Sequence, residues 1–126
     1  MAYEIGDFDI GTMTASADLS AKQYHLVYVS GDNTVTFVAS AGAKYLGILQ
    51  NAPESGEAAI VRVQGISKLV TGTGDLTAND AVQSHTDGTG ITAASGDYAS
   101  AIVLQGAAAG ENATVYIGGA ATTMIN

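Results

Sequence analysis

Few residues in this chain could do chemistry, and they are scattered. His25 lies within the apolar run Gln23-Tyr-His-Leu-Val-Tyr-Val29, and His85 sits beside Thr86-Asp87-Gly88. Acid–base catalysis needs a His, a Lys or a perturbed carboxylate held in place by partners. Neither histidine has a sequence neighbour that implies a triad, so they read as a strand-face and a turn residue. Asp75 with Asp80, or Asp32 with Asn33, could offer oxygen ligands to calcium. No spaced Asp/Asn loop of the EF-hand type accompanies them, and Asp is common in tight turns for backbone reasons alone. The glycines of Gly72-Thr-Gly74 and Gly88-Thr-Gly90 lack the following Lys and helix of a phosphate-binding loop. Asn112-Ala-Thr114 matches a glycosylation sequon, a short pattern that often arises by chance. The expectation is therefore a non-enzyme, with no catalytic residue, no metal and no cofactor. Tyr3, Tyr24, Tyr45 or Tyr98 could stack on sugars, so a carbohydrate- or receptor-binding β module of a fibre or surface assembly stays open as the alternative. Core or interface packing is the plainer use of these tyrosines.

Charge narrows the partners. Four Lys+Arg against 12 Asp+Glu give a net charge of -8, and an acidic field repels a phosphate backbone. Lys22, Lys44, Arg62 and Lys68 form no basic run, so nucleic acid is not an expected partner. Only 13% of residues are charged while 47% are hydrophobic, against about 25% charged in ordinary soluble domains. Much of the surface must then be Ala, Gly, Ser and Thr, which suits a protein that meets other protein copies. Cysteine is absent, which fits assembly in a reducing compartment. No basic-then-apolar leader opens the chain, and no apolar run approaches the roughly 18 residues of a spanning helix. A membrane is not an expected partner.

The elements that must hold these residues read as strands. Tyr24, Leu26 and Tyr28 alternate on one face, Gly31-Asp32-Asn33 supplies a turn, and Val35 and Phe37 share a face in the next run. Tyr45 to Gln50 and Ala58 to Gln64 follow, the latter with Ala59, Val61 and Val63 together and Arg62 opposite. Ile66 to Val70 extends or restarts that strand. No segment has a convincing helical period, so the fold class is all-β.

The second half repeats the first. Gly47-Ile-Leu-Gln50 is echoed by Ala101-Ile-Val-Leu-Gln105, and Gly56-Glu57 through Gly65 by Gly110-Glu111 through Gly119. Upstream, Leu19 matches Leu76 and Tyr45 matches Tyr98. The spacing shortens by one residue (105 − 50 = 55, then 111 − 57 = 54), which reads as a shorter loop. Facing is preserved, with Val61 and Val63 matching Val115 and Ile117, and Arg62 matching Tyr116. The expected architecture is a compact barrel or sandwich over residues 19–126, with pseudo-repeats at about 19–66 and 76–120. Residues 1–18 lie outside both, either as a first strand of the same domain or as an extended arm that adds a strand to a neighbouring chain.

The stretch Tyr45-Leu-Gly-Ile-Leu-Gln50, the loop to Gly56-Glu57 and the run Ile60-Val-Arg-Val-Gln-Gly65 resemble the capsid cement, or head decoration, proteins of tailed bacteriophages. A similar strand pair recurs at Ala101 to Gln105 and Glu111 to Gly119. The resemblance implies a β-tulip-like domain with an N-terminal segment reaching a shell. It implies a structural virion protein, made in the host cytoplasm, that binds the outer surface of an assembled capsid and stabilises it. The expected partners are the major capsid protein and two further copies of itself, as a homotrimer at local three-fold positions. Tyr3, Glu4, Phe8 and Ile10 are the capsid-contact candidates that follow.

Overall fold

Apolar and polar residues alternate along most of this chain, and a period of two places successive side chains on opposite faces of a strand. The computed structural model describes residues 7–121 and 125. Its strands are β1 (Phe8–Ala15), β2 (Leu26–Gly31), β3 (Thr34–Phe37), β4 (Gly47–Leu49), β5 (Ala58–Val70), β6 (Ala81–Ser84), β7 (Gly90–Thr92), β8 (Ala101–Gln105) and β9 (Asn112–Gly118). They join in one sheet in the order β1-β3-β2-β4-β5-β9-β8-β6-β7, and β1 also pairs with β5. The extra pairing closes β1, β3, β2, β4 and β5 into a ring. The end of β5 with β9, β8, β6 and β7 makes a second ring, closed by a parallel bridge from Thr71 to Gly90. The expected barrel or sandwich is thus a pair of small barrels sharing one strand. Ring closure gives these strands partners within the chain instead of leaving open ladders.

The two units match strand for strand: β2, β3, β4 and β5 correspond to β6, β7, β8 and β9. Leu49 pairs with Val61 in the first unit, as Val103 pairs with Val115 in the second. Ile48 likewise pairs with Arg62, and Ile102 with Tyr116. In β8, Val103 opposes Val115 and Gln105 opposes Thr114, so Leu104 is an extra residue in a bulge. The run from Leu49 to Val61 is as long as that from Val103 to Val115 (61 − 49 = 115 − 103 = 12), so the turn after the bulge is one residue shorter, as the sequence spacing implied.

The repeat also begins earlier than residue 19. The Ala15 amide donates to Glu57 O at 2.9 Å and its carbonyl accepts from the Gly56 amide at 2.9 Å. Thr71 makes the same two bonds with Glu111 and Gly110, at 2.9 and 2.8 Å. Leu19 and Leu76 repeat the pattern, their amides donating to Pro53 O and Ala107 O. Ala15 therefore corresponds to Thr71, and β1 to the second half of β5. From Phe8 onward the segment expected as an extended arm is the first strand of the first unit, held between β5 and β3. Thr14 pairs with both β3 and β5, while Phe8, Asp9, Ile10 and Met13 pair with β5 alone.

Strand β5 passes from one barrel to the other at Gln64, which pairs with both Phe8 and Gly118. Gly65 follows with φ +117°, and a Cβ there would collide with the Asp7 carboxylate. Only glycine meets both demands.

Each barrel has its own core. Met13, Ala15, Leu19, Val27, Val35, Leu49, Ala59, Val61 and Val63 fill the first. Leu69, Leu76, Val82, Val103, Ala113, Val115 and Ile117 occupy the corresponding positions of the second. The second core also takes in Leu26, Val38, Tyr45 and Ile48 from the first unit. Tyr45 stitches the units together: its hydroxyl donates to Val82 O and accepts from the Ser100 amide, both at 2.9 Å. Burial pushes its ionisation upward, so the hydroxyl stays a donor.

Candidate functional site

Four positions in line across the sheet show how differently the units end. In the first unit the row is Asp9–Arg62–Ile48–Leu26. In the second it is Ile66–Tyr116–Ile102–Ala81. Leu26 and Ile48 are fully buried in the second unit's core. Arg62 meets Asp9 through two bonds, Nε to Oδ1 at 2.8 Å and a terminal nitrogen to Oδ2 at 3.1 Å. Its other terminal nitrogen donates to Ile66 O at 2.8 Å. The Asp9 hydrogen bond, against a smaller cost of burial, raises the guanidinium's ionisation further.

The second row is apolar and open. Ile66 is 52% exposed, Tyr116 39% and Ile102 37%, and the bulged Leu104 beside them is 48% exposed. Strands lie about 4.8 Å apart, so side chains in one such row adjoin one another. No Asp or Glu occurs in β5, β8 or β9, although the chain has 12. The charges in those strands are Arg62, tied to Asp9, and Lys68, whose ammonium lies 5.6 Å from the Tyr24 ring centre. A contiguous apolar patch with an aromatic centre and no acid is the ordinary chemistry of a protein-binding surface.

A second exposed region lies on the first unit. Tyr28 and Lys44 separate two shallow depressions of about 460 and 350 Å³, the larger reaching Val38 and Tyr98, the smaller Val29 and Leu46. Lys44 lies 5.4 Å from the Tyr98 ring centre.

The residues singled out from sequence fall in different places. Tyr3 and Glu4 lie outside the described residues. Phe8, opposite Gln64, is 59% exposed and suits a contact surface. Ile10 does not, because it packs against the first core. Among the sugar-stacking candidates Tyr45 is buried, while Tyr24 and Tyr98 line separate depressions. Tyr3 again lies outside the described residues.

His25 is buried, with Nδ1 3.0 Å from Gln23 O. Burial lowers its proton affinity and keeps the ring neutral. The acids suggested for calcium serve turns instead. Asp80 accepts from the Thr77 amide at 2.9 Å, and Asp75 from the Ala109 amide at 3.3 Å. Asp87 accepts from the Thr89 amide and hydroxyl; burial raises its pKa, but the hydrogen bonds to the carboxylate outweigh it and the net shift is downward. Among the described residues no group of three His, Asp or Glu side chains could hold a metal ion. No helix among them is long and apolar enough to cross a membrane.

Sequence reading missed Ile66, Tyr116, Ile102 and Leu104. The signal was present in β8, where both sides of the alternation are apolar, and in the replacement of Arg62 by Tyr116 at equivalent positions.

No family model matches the chain, and no curated protein does. Its fold is similar to a solved one: the crystal structure of the head fiber gp8.5 N base of bacteriophage phi29. The TM-score is 0.67, over 89% of this chain and 92% of that one, at 17% sequence identity. The two chains share a fold over nearly their whole lengths.

Proposed function

We propose that this chain is a structural protein of a tailed-phage virion. It binds the outer surface of an assembled capsid and cements it, as a trimer at local three-fold positions, and it does no chemistry of its own. The observation that carries this reading is the fold shared end to end with a phage head fiber base. The resemblance of residues 45–65 to capsid decoration proteins points the same way. An acid-free apolar face on a chain of net charge -8 supplies the kind of surface such a role needs. Many weak contacts repeated around a symmetric shell can then hold firmly together.

The partner is the major capsid protein. Mixing purified chain with undecorated capsids, built from the major capsid protein of the same genome, should give co-sedimentation and greater resistance of the capsids to heat. Full-length protein left in the supernatant would overturn the reading. Removing residues 1–6 should weaken shell binding while the barrels stay folded. A longer deletion through 18 would take away β1 and open the first barrel, so its failure to bind would say nothing about the shell.

A further inference from the structure

We infer that copies of this chain meet through the outer face of β5, β9 and β8, centred on Ile66, Tyr116 and Ile102 with Leu104 at its edge. This deepens the proposed function and rests on it only in taking the chain to work as several copies.

Three observations select a second copy as the occupant. First, the fold itself covers this row where it can. The positions equivalent to Ile102 and Ala81 are Ile48 and Leu26, which are fully buried because the second unit packs on them. Among the described residues Ile102 and Tyr116 remain 37% and 39% exposed, and because a unit of this same fold covers the equivalent Ile48, a unit from another copy fits the surface they form. Second, the end of the row that the first unit leaves open is protected differently. There Asp9 and Arg62 form a two-bond ion pair, and the corresponding pair in the second unit is Ile66 and Tyr116. Hydrophobic residues thus replace charge where the surface lacks an internal cover. Third, two copies each of net charge -8 repel one another over most orientations. Strands β5, β8 and β9 carry no acid, and the carboxylates at the Ile66 end, Asp7 and Asp9, sit beside Arg62 at 3.8 and 2.8 Å, so this face adds little to that repulsion. Removal of apolar area from water and a central tyrosine supply the attraction.

Closed barrels also restrict how copies can join. Strands β5, β9 and β8 have partners on both sides over most of their length, so on this face the route for a neighbour is side-chain packing rather than an added strand.

The test is the mass in solution of full-length protein, by light scattering coupled to size exclusion, with no capsid present. The wild type should form an oligomer of the 12.6 kDa chain. Ile102→Glu and Tyr116→Lys should each weaken association by about 30-fold or more, the size of a central interface residue. Val29→Glu, in the depression on the first unit, should leave the mass unchanged. Because all three sites are exposed, circular dichroism and melting should show folded protein; Ile102→Ser and Tyr116→Ser serve if the charged variants melt early.

The chain has no cysteine, so Leu104→Cys offers a second readout: it should cross-link copies under oxidation, and Val29→Cys should not. A wild type that is monomeric at about 1 mM overturns the inference. So does an oligomer that folded face variants leave intact, or face variants that lose only capsid binding, which would hand this face to the shell. An intact oligomer that fails to bind capsids overturns the proposed function and leaves this inference standing.

Discussion

At equivalent places in the two units stand Asp9, Arg62, Ile48 and Leu26 on one side, and Ile66, Tyr116, Ile102 and Ala81 on the other. The first set is half ion pair and half core. The second is open, apolar and acid-free. Backbone pairing is the same in both, so the difference comes from what each unit meets. The second unit packs on Ile48 and Leu26, whereas among the described residues Ile102 is left 37% exposed. A repeated fold therefore provides one internal interface and one free surface of the same shape.

The largest expected effect separates Ile48 from Ile102. Ile48→Ala should cost about 2–5 kcal/mol, because a fully buried side chain leaves a cavity. Ile102→Ala, read on monomeric protein in urea, should fall within about 0.5 kcal/mol of wild type, as exposed positions usually do. Equal losses would erase the distinction between a covered and an uncovered row.

A smaller contrast lies in the paired tyrosines. Tyr45→Phe should cost about 1–3 kcal/mol, since Val82 O and the Ser100 amide lose a buried partner. Tyr98→Phe, at the equivalent place and half-exposed, should change the urea midpoint little. If both are neutral, the hydroxyl does not join the units.

The smallest effect is a pH dependence, at a position where the units differ in charge type. His25 precedes Leu26 as Asp80 precedes Ala81. Burial holds the His25 proton affinity below its ordinary value of 6.5, so below that pH the unfolded chain binds the proton more readily. Stability should be full above about pH 6.5 and decline as pH falls toward the folded value. The melting temperature should drop between pH 7.5 and 5.5 in the wild type, and less in His25→Gln. Asp87, lowered from 3.8, loses its contribution only at more acid pH, so the two can be told apart. A flat profile from 7.5 to 5.5 would place His25 in a wetter site than the coordinates do.

Much of this was legible in the chain. Alternation in Ala59, Val61 and Val63 and its echo in Ala113, Val115 and Ile117 marked the strands, their buried sides and the duplication. Turn residues such as Asn33 announced hairpins. The bulge at Leu104 was not legible, because the shorter turn after it restores the spacing between the paired strands. The role of β1 was hidden as well: its counterpart is half of β5, and one segment serving two units leaves no second copy to match. Ile10 is a contact candidate through the family resemblance, and its packing against the first core was visible only in the fold.

Local alternation and turn chemistry, properties of neighbouring residues, determined by themselves that this chain is all-β and built twice. Which apolar residues are core and which are surface was decided only in the folded molecule. Ile48 and Ile102 sit in the same motif, and each is flanked by residues of the same kind. One is buried because the second unit lies against it, and the other is exposed because no described unit lies against it. That difference depends on long-range packing between barrels, which no window of sequence contains.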